Sequence, residues 1–242
     1  MTGVQTCALP IFADGGGARS ADTTRERDYG QAAIVSKIWS EGHVKPGMAP
    51  DTAFERFTPE GPIALLPDRD AFALVWCLPV AKARALADLD DGAFLAALQI
   101  AFGRRAGRFT RCAPRQCFEL RLRRRIDIGT AGVIAIGNAS QTLHPVAGQG
   151  FNLGLRDAWE LAQILCGLSP QALTHNEALR AYRARRRVDR TAMISATHGL
   201  VQLFSNDFLP LRVARGAGMT LLGAITPLRN FVARRMIFGA RG

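Results

Sequence analysis

The stretch from Gly132 to Asp157 constrains this chain more than any other. Val133-Ile134-Ala135-Ile136 is a short, unbroken apolar run between Gly132 and Gly137. Such a run suits a strand buried on both faces, as in a parallel sheet. Polar and glycine-rich residues follow, and helical patterning begins near Gly150. Strand, loop and helix start in that order place ligands at the carboxyl end of a parallel strand. The loop's glycines let backbone approach a flat ligand closely. Pro145 removes a donor and stiffens the loop. Gly148 to Asn152 would offer free N–H groups at a helix start. With a dipole end of about +0.5 charge, these favour an anion or a developing negative charge. Asn138 follows the strand, where its side chain can hydrogen-bond a sugar or polyol. A glycine-rich strand-to-helix turn with no ligand fits the same pattern.

The residues before this stretch read as a sheet-rich unit. Gln31 to Trp39 is strand-like, and Thr52 to Phe57 is a second strand with Phe54 and Phe57 as its large apolar residues. Pro62 to Leu66 and Ala71 to Cys77 flank Pro67-Asp68-Arg69-Asp70, a hairpin signal that Pro79 ends. Asp91 to Phe102 reads as a helix capped by Asp90 or Asp91, with Phe94, Leu95, Leu98 and Phe102 on one face and Gly103 closing it. Arg108 to Arg125 alternates in part and reads as one long antiparallel strand. The rest is helical. Thr174 and Glu177 have capping-box spacing, and two apolar stretches, Phe208 to Leu222 and Phe231 to Phe238, follow. No internal repeat is visible.

Composition narrows the class. The 242 residues are 48% hydrophobic and 21% charged. That balance excludes a disordered chain. No apolar run approaches the roughly 18 residues of a membrane span. Five scattered cysteines (Cys7, Cys77, Cys112, Cys117, Cys166) make no disulfide scaffold. The close pair Cys112 and Cys117 has no second pair to complete a zinc site, so no metal is expected and reduced thiols point to a cytoplasmic protein. The net charge of +11 is nearly all arginine, with Lys37, Lys45 and Lys82 the only lysines. An arginine-rich coding bias accounts for that. Aromatics are only 7% of the chain. Nucleic-acid modules interleave basic and aromatic residues, so no nucleic-acid partner is expected.

Met1 to Ile11 has no positive n-region and no long apolar core, so it is not a secretory signal. Back-translated from a GTG start, it resembles a short-read sequencing adapter. The expectation is an artefact over residues 1–11, a natural sequence beginning near Phe12, an N-terminally truncated chain, and no role for Cys7.

The run from Gly137 to Asp157 resembles the second flavin-binding motif of the aromatic-ring flavoprotein monooxygenases, the group that includes para-hydroxybenzoate hydroxylase. More narrowly it resembles the ubiquinone-biosynthesis hydroxylases, nearest to the 2-polyprenyl-6-methoxyphenol hydroxylase branch. Phe54-Glu55-Arg56-Phe57-Thr58, Gly61-Pro62, Leu66-Pro67 and Leu74-Val75-Trp76-Cys77 carry the likeness outside the motif. So do Tyr182-Arg183, Arg186, Asp189-Arg190, Leu203-Phe204, Asn206 and Pro210.

The resemblance implies an α/β chain, α+β overall: the C-terminal part of a Rossmann-like FAD-binding monooxygenase fold with a mostly antiparallel substrate-domain sheet and C-terminal helices. It implies a remnant of the FAD domain at 12–27, the substrate-domain sheet at 28–126, the second flavin motif and its helix at 127–200, and C-terminal helices at 201–242. Asp14-Gly15 is similar to the family's Asp-Gly motif near the cofactor. Asn138 stands where most of the wider family has an Asp on the ribityl chain, and this branch often has Asn. By the same likeness Gly137 opens the motif and Pro145 lies against the isoalloxazine ring. Gly148, Gln149, Gly150, Phe151 and Asn152 run along its pyrimidine edge.

FAD is the implied cofactor, NAD(P)H the co-substrate and a polyprenyl phenol the substrate. Membership of a quinone-biosynthesis complex and peripheral contact with the inner membrane are also implied. The C-terminal helices are expected to pack on the flavin domain, with docking on an anionic membrane as the other reading. Two departures stand out. Ala18 and Ala21 replace the family's Ser and Arg after Asp-Gly, and no Gly-x-Gly-x-x-Gly occurs. The fragment is therefore expected to bind FAD weakly, and Gly132 to Gly137 to lack parallel partners. No catalytic side chain is expected, because the flavin does the chemistry. His144 is read as shaping the loop rather than as a base, and His43, His175 and His198 as incidental. The other readings are a same-fold monooxygenase for another aromatic compound, a catalytically inactive partner-binding subunit, and a basic nucleic-acid binder.

Overall fold

The computed structural model describes residues 11–13, 15, 24–42, 52–125, 134–145, 148–167, 175–204 and 209–239. The chain divides into two compact units. One comprises residues 1–27, 121–200 and 219–242, and the other residues 28–120 and 201–218.

The second unit is the sheet that the apolar runs and the Pro67–Asp70 turn cluster predict. β2 (Thr24–Glu41) enters it, followed by β3 (Phe54–Thr58), β4 (Gly61–Asp68) and β5 (Ala71–Pro79). They pair antiparallel in the order β3-β4-β5-β2, and β6 (Arg108–Cys112) also pairs with β2. Ile63, Trp76 and Ile34 lie opposite one another across three strands. Their face carries the core with Ile38, Leu65, Phe72, Leu74 and Leu78. Two helices cover it: α1 (Val80–Ala87), which starts directly after Pro79, and α2 (Asp91–Phe102). Phe94, Leu98 and Phe102 point inward at the spacing of one helix face. Trp76 meets Phe94 at 6.1 Å between ring centroids. Asp90 caps α2 by accepting from the Ala93 amide at 2.9 Å, and Gly103, at φ 83°, closes it. Gly61 sits where a Cβ would strike the Cys77 carbonyl, so no other residue fits that turn.

Three expectations need correction. Residues 108–125 are two strands, β6 and β7 (Gln116–Arg125), not one. Pro114 lies in the break, where its missing N–H and fixed φ interrupt a ladder. β2 starts at Thr24, earlier than its apolar run, because it also pairs with β7 and a backbone ladder continues through polar residues. β7 leaves Phe118 exposed, so its alternation does not mark a core face.

The first unit is mainly helical. β8 (Ile134–Ala135) is buried and pairs parallel with β1 (Ile11–Phe12). The expectation that it lacks parallel partners is therefore wrong for β1, and Ile11, the last residue of the adapter-like segment, lies in register with Ile134. β9 (Gln141–Thr142) pairs antiparallel with β7. α3 (Gly150–Gly167) and α4 (His175–Phe204) follow. They enclose a second core of Ile134, Leu161, Ile164, Ala178, Leu179 and Tyr182. Thr174, half of the capping-box signal, lies outside the described residues.

α5 (Leu209–Ala224) and α6 (Thr226–Phe238) end the chain. α6 fully buries none of its side chains, though it falls in the same compact unit as α3. Its apolar residues mix with Arg229, Arg234 and Arg235 around the helix and form no wide stripe. Only the following Gly239 is buried, where a Cβ would meet Arg156 and Asp189. Among the described residues no helix is long and apolar enough to cross a membrane.

Candidate functional site

Parallel pairing sets the geometry. Ile11 pairs with Ile134, so Gly15 and Asn138, each four residues further on, leave the same carboxyl end of the pair. Gly15 is exposed at φ 75°, and Asp14 lies outside the described residues. Beyond β8 the chain makes a 3₁₀ turn, Gly137–Ala139, closed by the Ser140 amide donating to the Gly137 carbonyl at 2.9 Å. Gly137 has φ 58°, and a Cβ on Gly154 of α3 would lie 3.1 Å from its Cα. Two glycines thus let turn and helix touch backbone to backbone, which side chains at either position would prevent.

α3 begins after a second turn. The Gly148 amide donates to the Pro145 carbonyl at 2.9 Å, and Gly148 takes φ 59°. The helical ladder opens with the Leu153 amide on the Gln149 carbonyl. The amides of Gly150, Phe151 and Asn152 therefore precede the first intrahelical bond. Gln149 is buried, and its Oε1 accepts from Asn152 Nδ2 at 3.4 Å. A Cβ at Gly148 or Gly150 would meet nothing within 4 Å, so the backbone here has an open side. Asn138 is exposed, Pro145 is half-buried, and Phe151 is exposed. Val146 and Ala147 lie outside the described residues.

His144 is 1% exposed, and burial pushes its pKa down to about 4. A neutral, enclosed imidazole suits a residue that shapes the loop, and it is poorly matched to proton transfer near neutral pH. His43 lies outside the described residues, while His198 Nε2 shares a hydrogen bond with Arg27 Nη1 at 3.0 Å. Among the described residues no group of three His, Cys, Asp or Glu side chains could hold a metal.

Residues that carry the family likeness but were assigned no site role from the sequence lie beneath the turn. Asp157 is fully buried. Its Oδ2 accepts from the Gly137 amide at 3.1 Å and from Gln141 Nε2 at 2.9 Å, and its Oδ1 from Arg186 Nε at 2.6 Å. Arg186 Nη1 also donates to Asp189 Oδ2 at 2.6 Å, and Arg156 Nη1 to Asp189 Oδ1 at 3.3 Å. Burial would lower the Arg186 pKa, but Asp157 and Asp189 hold it above the ordinary arginine value. Tyr182 of α4 donates to the Ala135 carbonyl at 3.4 Å. α4 therefore clamps both the strand and the turn. The available signal was an acid on the inner face of an amphipathic helix, which needs a buried cation.

No family model matches the chain. It is 35% identical over 216 residues to the ubiquinone hydroxylase UbiL of Rhodospirillum rubrum, covering 87% of this chain and 48% of that protein. It is 33% identical over 194 residues to the 3-demethoxyubiquinol 3-hydroxylase of Escherichia coli, covering 79% of this chain and 48% of that protein. Its fold is similar to Klebsiella pneumoniae HpxO complexed with FAD and uric acid. The TM-score is 0.65 at 16% identity, over 91% of this chain and 56% of that one. The chain spans about half the length of the curated relatives it matches. Over that shared half, its sequence is similar to the ubiquinone-biosynthesis hydroxylases, and its fold to FAD-dependent monooxygenases.

Proposed function

We propose that this chain forms part of an FAD-dependent monooxygenase that hydroxylates the aromatic ring of a polyprenylated phenol in ubiquinone biosynthesis, with NAD(P)H and O2 as co-substrates. The observation that carries it is the α3 start. Open backbone at Gly148 and Gly150 lies beside first-turn amides outside the helical ladder, in a chain 35% identical to a ubiquinone hydroxylase. A flat, anion-forming ring system fits that donor set: glycine backbone with room for its face, and amides with a positive dipole end for its charge.

In this reading Asn138 holds the ribityl chain and Pro145 lies against the ring. Gly148, Gln149, Gly150, Phe151 and Asn152 follow its pyrimidine edge, Asp14 and Gly15 lie near it, and Gly137 keeps the turn against α3. When bound, FAD carries electrons from NAD(P)H to O2 and delivers one oxygen atom to the phenol. The amides of Gly150 to Asn152 stabilise negative charge, and the Asp157–Arg186–Asp189 network holds the turn rigid. The sheet-rich unit is the substrate domain. The protein works at the cytoplasmic face of the inner membrane, within a quinone-biosynthesis complex.

Titration with FAD, followed by flavin fluorescence, tests the site. Saturable quenching that Gly150→Leu abolishes is the expected result, with the weak complex lost on gel filtration. No saturable quenching by the wild-type chain would overturn it. Product analysis with a polyprenyl phenol against a simple phenol separates this substrate from another aromatic compound.

A further inference from the structure

α4 and the end of β7 build a second, strongly basic feature in the first unit. Arg124, Arg125, Arg183, Arg186, Arg187 and Arg190 line a cavity of about 200 Å³, completed by Thr191 and Ile194. Arg186 is matched by Asp157 and Asp189. Among the described residues, Arg124, Arg183, Arg187 and Arg190 have no carboxylate partner. Arg183 and Arg187 stand one helical turn apart, as do Arg186 and Arg190. Like charges at that spacing destabilise a helix unless a counter-ion joins them.

Arg190 supplies an independent sign. Its Nη2 donates to the Ser140 carbonyl at 3.0 Å, yet its Nε is buried with no acceptor. A buried donor left unmade is destabilising. Burial, with Arg124 and Arg186 nearby, pushes its pKa down to about 10 despite the pull of Asp157. An oxyanion in the cavity would offset the excess charge of these guanidinium groups. Guanidinium forks match the tetrahedral oxygens of phosphate, often through two parallel bonds. The lining holds no aromatic side chain on which a base could stack, which disfavours nucleic acid.

We propose that this cavity is a binding site for a phosphate-type anion, a phosphomonoester or pyrophosphate group carried by a soluble metabolite or an acidic lipid headgroup. Because Arg190 also holds the Ser140 carbonyl, which accepts the Arg125 amide at 2.9 Å, an occupant would brace the turn after β8. The proposal does not depend on the flavin reading, and a failure of FAD binding leaves it standing.

Calorimetric titration of the chain with inorganic pyrophosphate, at ionic strength matched with sodium chloride, is the test. We expect saturable binding that Arg183→Gln/Arg187→Gln weakens at least tenfold. The exposed pair Arg104→Gln/Arg105→Gln should leave it unchanged. Equal affinity in both double variants, or no saturable heat, overturns the site. Should the first variant misfold, the wild-type melting temperature decides: a rise in pyrophosphate over matched chloride supports the site, and no rise refutes it. Sedimentation with phosphatidylglycerol vesicles, competed by free pyrophosphate, assigns the group to a lipid headgroup. Pyrophosphate binding without vesicle binding assigns it to a soluble ligand.

Discussion

Asp157 divides its two carboxylate oxygens among the Gly137 amide, Gln141 and Arg186, and its side chain is closed off from solvent. Removing one partner of a buried pair leaves the other charge uncompensated and costs about 3–5 kcal/mol. Asp157→Ala should therefore lower unfolding stability by about that amount in urea. Adding Arg186→Met should recover part of the loss, giving a double-mutant cycle that departs from additivity. Additive losses would show that the pair is not coupled.

His144 makes a pH prediction. Burial holds its folded pKa near 4, below the ordinary value of 6.5. A neutral imidazole therefore stabilises the fold fully above pH 6.5, and that stability drains as pH falls toward 4. The gap amounts to at most about 3 kcal/mol. Urea midpoints of the wild type at pH 7.5 and pH 4.5 should differ more than those of His144→Asn. An identical pH dependence would remove the effect.

At the scale of elements, turn and helix meet through glycine. Gly154→Ala places a Cβ 3.1 Å from the Gly137 Cα, both backbone atoms with little room to yield. The expected cost is about 1–3 kcal/mol of stability, together with weaker quenching of flavin fluorescence. α2 offers a contrasting case. Asp90→Ala removes one side-chain bond to the Ala93 amide and should cost about 1 kcal/mol in thermal unfolding, because water can replace it. The two devices differ in legibility. The α2 cap and its closing glycine are local and stand in the sequence within a few residues of the helix. The contact of Gly154 with Gly137 joins positions 17 apart, and no short pattern announces it. The break between β6 and β7 was missed because a half-regular alternation outweighed one proline.

At the scale of the whole molecule, charge is the widest effect. A net +11 repels itself at low ionic strength. Salt shortens the reach of that repulsion to a Debye length of about 8 Å at 0.15 M. The melting temperature should rise between 10 mM and 150 mM sodium chloride. A fall would mean that surface ion pairs such as Lys82–Glu60 and Arg123–Glu26 outweigh the excess.

The sequence by itself determined what depends on near neighbours. The apolar runs of β4 and β5 around the Pro67–Asp70 turn cluster select a hairpin, the helical spacing of Phe94, Leu98 and Phe102 selects one buried face, and the glycine-rich run after Ile136 selects a turn into α3. Tertiary structure alone decided which distant groups meet. Asp157 finds Arg186 from 29 residues away, Gly154 rests on Gly137, and the arginines of α4 join those at the end of β7 around one cavity. Local patterns follow from backbone geometry, which repeats within a few residues. A buried charge and its partner are chosen by packing, because only the folded chain removes the water that would otherwise solvate each of them alone.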